Sequence, residues 1–135
     1  MNLSAQLKTV TISDGESYKN DGDARISINK DGVIRIVKTL PDGAASAIVV
    51  DGNAVTLVRT GAESYEMTLQ EGKTNEFVMN VPGRPLICSV DCVKLGKRSR
   101  FGLVELFLDY ALTIEGGTSR FTSHIRCTYD DVNVC

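Results

Sequence analysis

The sequence predicts an all-β protein. The architecture it points to is an antiparallel up-and-down β-barrel of about eight to ten strands, with at most one short helix, in one domain over residues 1–135. Three observations predict it. First, Val104 to Ile114 alternates strictly. Val104, Leu106, Leu108, Tyr110, Leu112 and Ile114 fall on one face; Glu105, Asp109, Ala111 and Thr113 fall on the other. Strand side chains change face at every residue, so one side of this run meets a core and the other meets water. The run is about twice the usual strand length of roughly five to six residues, and strands that long belong to sheets that curl rather than leave long edges exposed. Second, turn signals recur along the chain: Asp14-Gly15, Asp21-Gly22, Asp31-Gly32, Asp42-Gly43, Asp51-Gly52, Glu71-Gly72, Pro82-Gly83 and Gly116-Gly117. Asp-Gly suits tight hairpins because both residues tolerate positive φ. Third, no helical periodicity competes with these short alternating runs.

The turns delimit ten strands or fewer, at 3–13, 17–29, 33–39, 45–50, 54–60, 63–71, 74–81, 85–95, 102–115 and 119–129. The first two flank Asp14-Gly15, and the second presents Ala24, Ile26 and Ile28 to the core. Ile34 and Ile36 do the same in the third. In the fourth, β-branched Ile48, Val49 and Val50 favour a strand, although Asp42 to Val50 has the alternative of opening with a helical turn over one barrel end. Tyr65, Met67 and Leu69, then Phe77, Met79 and Val81, mark inward faces on either side of Glu71-Gly72. Leu86, Cys88, Val90 and Cys92 follow, then the long run, then Phe121, Ile125, Cys127 and Tyr129. The opposite faces carry Arg25, Ser27, Glu66, Thr68, Asn80, Ser89, Asp91, Arg120, Thr122, His124 and Arg126. Burial on one side only is the mark of antiparallel sheets.

Composition sets further bounds. A chain of 135 residues with 42% apolar and 24% charged residues can hold a core without disulfide or metal staples. A formal charge of −2 gives no field that calls for nucleic acid or a membrane surface. No run approaches the ~18 apolar residues of a membrane span. Met1 to Lys8 lacks a basic stretch followed by an apolar one, so no signal peptide is read and the expected location is the cytoplasm. Four cysteines agree with a reducing compartment. Cys88 and Cys92 lie roughly 13 Å apart along a straight strand, beyond the about 7 Å that a disulfide tolerates. His124 is the lone histidine, and no zinc-type spacing occurs, so neither metal nor cofactor is expected.

From Val55 to Tyr129 a set of features recurs in order: Leu57-Val58-Arg59-Thr60-Gly61, Met67-Thr68-Leu69, Gly72, Pro82-Gly83 after an alternating strand, then Gly102-x-Val104-x-Leu106-x-Leu108-x-Tyr110-x-Leu112. This stretch resembles the YwiB-like family of small bacterial proteins, a lipocalin-like β-barrel group of unknown function. The family's arginine-x-glycine maps to Arg59 and Gly61, and its glycine before an alternating strand maps to Gly102 and Tyr110. The chain departs from the pattern by having Met79 and Val81 near the proline-glycine turn, where the family carries an aromatic and a threonine. The lipocalin glycine-x-tryptophan motif is absent, since the chain has no Trp. The resemblance implies a closed or nearly closed calycin-type barrel and implies no ligand or reaction.

Arg59 stands out among the candidate site residues. If Val55 and Leu57 face the core, Arg59 shares their face near the strand end, where a guanidinium could hold a carboxylate or phosphate. The competing reading is a structural ion pair or a side chain snorkelling to the rim. Tyr65, Met67, Phe77 and Tyr110 would form the apolar wall of such a site. A barrel of about eight strands either fills its interior with side chains or holds one small ligand. The function expected is therefore binding of a small anionic or amphipathic metabolite at the barrel mouth. The alternative is a structural or protein-interaction module with a filled barrel. No grouping of nucleophile and base, paired carboxylates or metal ligands marks an enzyme, and Asp130-Asp131 reads as a solvated tail. Lys94 to Phe101 concentrates four cations and reads as a solvated hairpin tip rather than a nucleic-acid groove. Ile87, Val93, Leu103 and Phe107 read as one outward apolar patch, and hence as the contact of a homodimer.

Overall fold

The computed structural model describes residues 2–130; Met1, Asp131 and Cys135 lie outside them. Ten strands follow one another: β1 (Asn2–Ser13), β2 (Glu16–Ile28), β3 (Ile34–Thr39), β4 (Ala45–Asp51), β5 (Ala54–Arg59), β6 (Tyr65–Gln70), β7 (Thr74–Val81), β8 (Arg84–Arg100), β9 (Leu103–Ile114) and β10 (Gly117–Tyr129). They form one antiparallel sheet in the order β6-β5-β4-β3-β2-β1-β10-β9-β8-β7. The result is a nearly closed up-and-down barrel, without helix among the described residues. Asp42 to Val50 accordingly contains a turn and a strand, and the helical alternative falls away.

Chain neighbours pair throughout except at β6 and β7, and the ring is completed by β1 against β10, from Ala5↔Tyr129 to Ser13↔Phe121. The seam between β6 and β7 is held by a single bridge, Ser64↔Asn80, and by the Asn75 side-chain amide donating to the Thr68 carbonyl at 3.0 Å. Two hairpins turn through pairs of residues with positive φ, Asp14 (52°) with Gly15 (79°) and Glu115 (50°) with Gly116 (83°). That is the turn geometry whose twist matches the flanking strands. Asp21-Gly22 is no turn: it lies inside β2. There Gly22 makes room for another side chain, described below.

The basic run Lys94 to Phe101 is largely exposed and leads to a hairpin turn, but it is strand rather than turn up to Arg100. β8 runs on through Arg100, and the chain reverses at Phe101-Gly102. Register jumps from Cys92↔Tyr110 to Lys94↔Asp109, leaving Val93 as the extra residue of a β-bulge. One extra residue swaps the faces. Cys88, Val90 and Cys92 point inward, and beyond the bulge Leu95 takes the inward face while Lys94, Gly96 and Arg98 point out. The cations are then used locally. Lys97 donates to the Gly52 carbonyl at 3.0 Å, and Arg98 pairs with Glu105.

The apolar patch read from the sequence is also spread along the sheet rather than gathered in one place. Cys88↔Ile114 places Ile87 beside Glu115, eight residues from Phe107 along β9, roughly 27 Å at ~3.4 Å per residue. Ile87 neighbours Val78 instead. Leu103 does lie on the outward row, between Arg100 and Thr128, but is only 5% exposed. The four residues therefore form no single surface.

Inside, Ile26, Val55, Leu69, Leu106 and Cys127 are fully buried at 0% exposure. Cys88, Cys92 and Cys127 are buried free thiols, and burial pushes Cys127 up to about 11, which keeps it in the unreactive thiol form. Truncating a residue at the centre of this core, Leu106→Ala, is expected to cost about 2–5 kcal/mol in urea unfolding. A loss below about 1 kcal/mol would show that the interior is not packed as described.

Candidate functional site

Polar groups gather at one end of the barrel interior. Pairing sets Lys38 opposite Ser46, Ser46 opposite Arg59, and Arg59 opposite Tyr65. Residues opposed across antiparallel strands share a face. Tyr65 alternates with buried Met67 and Leu69, so the whole row points inward. Lys38 and Arg59 stand two strands apart, about 10 Å between backbones.

Local sequence fixes Arg59 at this place. Thr60 ties β5 to β4, its amide donating to the Ala45 carbonyl at 2.9 Å and its hydroxyl accepting from the Ala45 amide at 3.0 Å. Gly61 follows at φ 114°, and a Cβ there would lie 2.8 Å from the Ala44 Cβ. Only glycine fits, which is the physical content of the Arg59-x-Gly61 spacing. Among the described residues, Arg59 has no carboxylate within 4.0 Å. It is half-buried and close enough to Tyr65 to offset part of the rise that burial imposes on that phenol.

Lys38 is the site residue that sequence reading missed. Its ammonium donates to the Asn20 side chain at 2.7 Å, and its chain crosses the inner face of Gly22, where a Cβ would meet Cε at 3.0 Å. β3 pairs with β2 only over Arg25 to Ile28, so Lys38 reaches across the part of β2 that β3 does not pair with. The signals were the phase of Ile34, Ile36 and Lys38 and a glycine inside a strand, which marks close approach.

Tyr65 and Phe77 have ring centroids 6.2 Å apart, and Tyr110 stacks on Phe121 at 5.4 Å. Burial, and then the neighbouring Tyr65, push Tyr110 up to about 12, so its phenol stays a neutral donor at ordinary pH. Ser123, which offsets part of that rise, bonds Thr11 at 3.0 Å. Met67, Phe77 and Tyr110 are 4%, 9% and 8% exposed, which makes them floor and wall beneath the mouth. The geometry provides an inward guanidinium beside neutral phenols, with the Lys38 ammonium turned towards Asn20 on β2.

A second cluster lies on the outer wall. Glu105, expected to face water, is 5% exposed and is held by Arg98 and by His124 Nε2 at 2.9 Å. Those two hydrogen bonds lower its carboxyl to about 2, well below its ordinary 4.5. Arg120 grips Asp109 through two bonds of 3.0 and 2.9 Å. No group of metal-ligating side chains occurs among the described residues.

The crystal structure of ywiB protein from Bacillus subtilis matches this chain with a TM-score of 0.77, over 96% of this chain and 92% of that one. The fold is YwiB-like. At 11% identity the likeness is one of fold alone, and it takes in the N-terminal strands, which the sequence motifs did not reach. No family model matches the sequence, and no curated protein matches it in sequence.

The Glu105 cluster makes a pH prediction. A carboxyl lowered on folding stabilises the fold above its unfolded value near 4.5, and that contribution is lost as pH falls towards 2. Wild-type stability, followed by urea unfolding, is expected to drop across this window more steeply than that of Glu105→Gln. Parallel curves would mean that Glu105 is not ion-paired.

Proposed function

We propose that this protein is a non-enzymatic binding module that takes a small anionic or amphipathic metabolite at the barrel mouth. The observation that carries the reading is Arg59, which faces inward beside Tyr65 without an acidic partner among the described residues. A planar guanidinium in that position offers paired donors to a carboxylate or phosphate. Lys38 adds a second cation and the phenols of Tyr65 and Tyr110 add neutral donors. The fully buried side chains below the mouth favour a shallow ligand, with its charged group on Arg59 and a short apolar part against Tyr65 and Phe77. The same filled interior supports the second reading, a protein-interaction module with no small ligand.

Calorimetric titration with small carboxylates and phosphate monoesters decides between them. Saturable binding is expected, and Arg59→Gln is expected to weaken it about tenfold or more, since hydrogen bonds to a charged group are worth about 1.5–3 kcal/mol. Absence of heat with every anion up to millimolar concentration, or an Arg59→Gln variant that binds as well as wild type, would remove the proposal in favour of the interaction module.

A further inference from the structure

A groove of about 430 Å³ crosses the outer wall of the barrel, on the opposite face from the mouth residues. Val10 and Ile12 of β1, His124 of β10, Phe107 of β9, and Gly96 and Lys94 of β8 line it. Register places Val10, His124, Phe107 and Gly96 in one row across four strands. The Phe107 ring stacks on His124 at 4.6 Å and 11°. Its other side lies over Gly96, where a Cβ would come within 3.5 Å of the Phe107 side chain. Glu105 in turn fixes His124. This apolar wall is held in place before any ligand arrives, which lowers the ordering cost of binding.

The charges around the groove are unevenly matched. Asp109 is taken up by Arg120, and Glu105 by Arg98 and His124. Lys94 lines the groove, yet it has no carboxylate within 4.0 Å among the described residues. The rim thus carries Lys94 beside a preformed apolar surface; its cross-strand neighbour Asp109 is already gripped by Arg120, so the three groups together leave one net positive charge there. The volume falls in the range of about 300–1,000 Å³ typical of small-molecule sites.

We propose that this groove is a second binding site, for a small amphipathic anion whose aryl or short acyl body packs on Phe107, Val10 and Ile12 and whose carboxylate or sulfonate meets Lys94. It is independent of the mouth, because Phe107 and Tyr110 point to opposite faces of β9.

Two fluorescent probes test it: 1-anilinonaphthalene-8-sulfonate and N-phenyl-1-naphthylamine, which has the same aromatic body without the sulfonate. In the Arg59→Gln background, which silences the mouth, one sulfonated probe per chain is expected, bound about tenfold tighter than the neutral one. Lys94→Met is expected to erase that preference, and Phe107→Ser to abolish both signals. Ile12→Ser, at an exposed position, should weaken both several-fold and covers the case in which Phe107→Ser does not fold. The same losses with Lys94→Met and Phe107→Ser are expected in the Arg59→Gln background, where the mouth no longer contributes, so failure of the mouth reading leaves this result intact. Equal affinity for the two probes in that background would overturn the proposal. So would a folded Phe107→Ser variant that binds normally, or a dimer closed over Phe107 that takes up no probe.

Discussion

The pairing of β1 with β10 is the constraint on which the rest of the molecule depends. A meander of ten strands is an open sheet with two exposed edges, and a long open edge invites pairing with other chains. Nine residues of β1, Ala5 to Ser13, meet nine of β10, Tyr129 to Phe121, and turn the sheet into a ring. The remaining gap then falls within the chain, between β6 and β7. The hairpin connection there keeps the two strands together with only one backbone bridge among the described residues. The closure joins residues more than a hundred positions apart, so it must be among the slowest contacts to form.

Unequal strand lengths produce the mouth. β1, β2, β9 and β10 span 12 or 13 residues each, whereas β3 to β6 span six or seven. The long strands continue past the short ones, and their inner faces would be left open to water. Polar inward residues appear there: Thr11, Ser13, Asn20 and Ser123 on the long side, Lys38, Ser46, Arg59 and Tyr65 on the short side. Deeper in, the same faces carry Ile26, Ile36, Val55 and Leu69. The switch from apolar to polar along each inward face marks where the packed core ends and the candidate site begins.

Most of the strands were legible in the sequence, because period-two alternation survives wherever one face is buried and the other is wet. Arg59 was legible for the same reason, through its phase with Val55 and Leu57. The misreadings share a cause. Val93 interrupts the alternation, so Cys88, Val90 and Cys92 are in one phase and Leu95 in the other, and the charged residues beyond it have the composition of a turn. Asp21-Gly22 has turn composition, but Gly22 serves the Lys38 side chain above it. Glu105 has the outward phase of a solvated acid, yet two cross-strand partners, Arg98 and His124, enclose it. Each miss turns on cross-strand pairing or its interruption, which local pattern cannot show. Cys135 and Asp131 belong to the sequence reading alone, outside the described residues.

Amide hydrogen exchange resolved by residue tests the closure most directly. If the chain ends complete the barrel, the hydrogen-bonded amides of β1 from Leu7 to Thr11 will exchange as slowly as those of β9. The β6 amides on the side facing β7 will exchange much faster, because that seam has almost no backbone ladder. Rapid exchange throughout β1, with protection concentrated at β6 and β7, would contradict the account and place the opening at the chain ends.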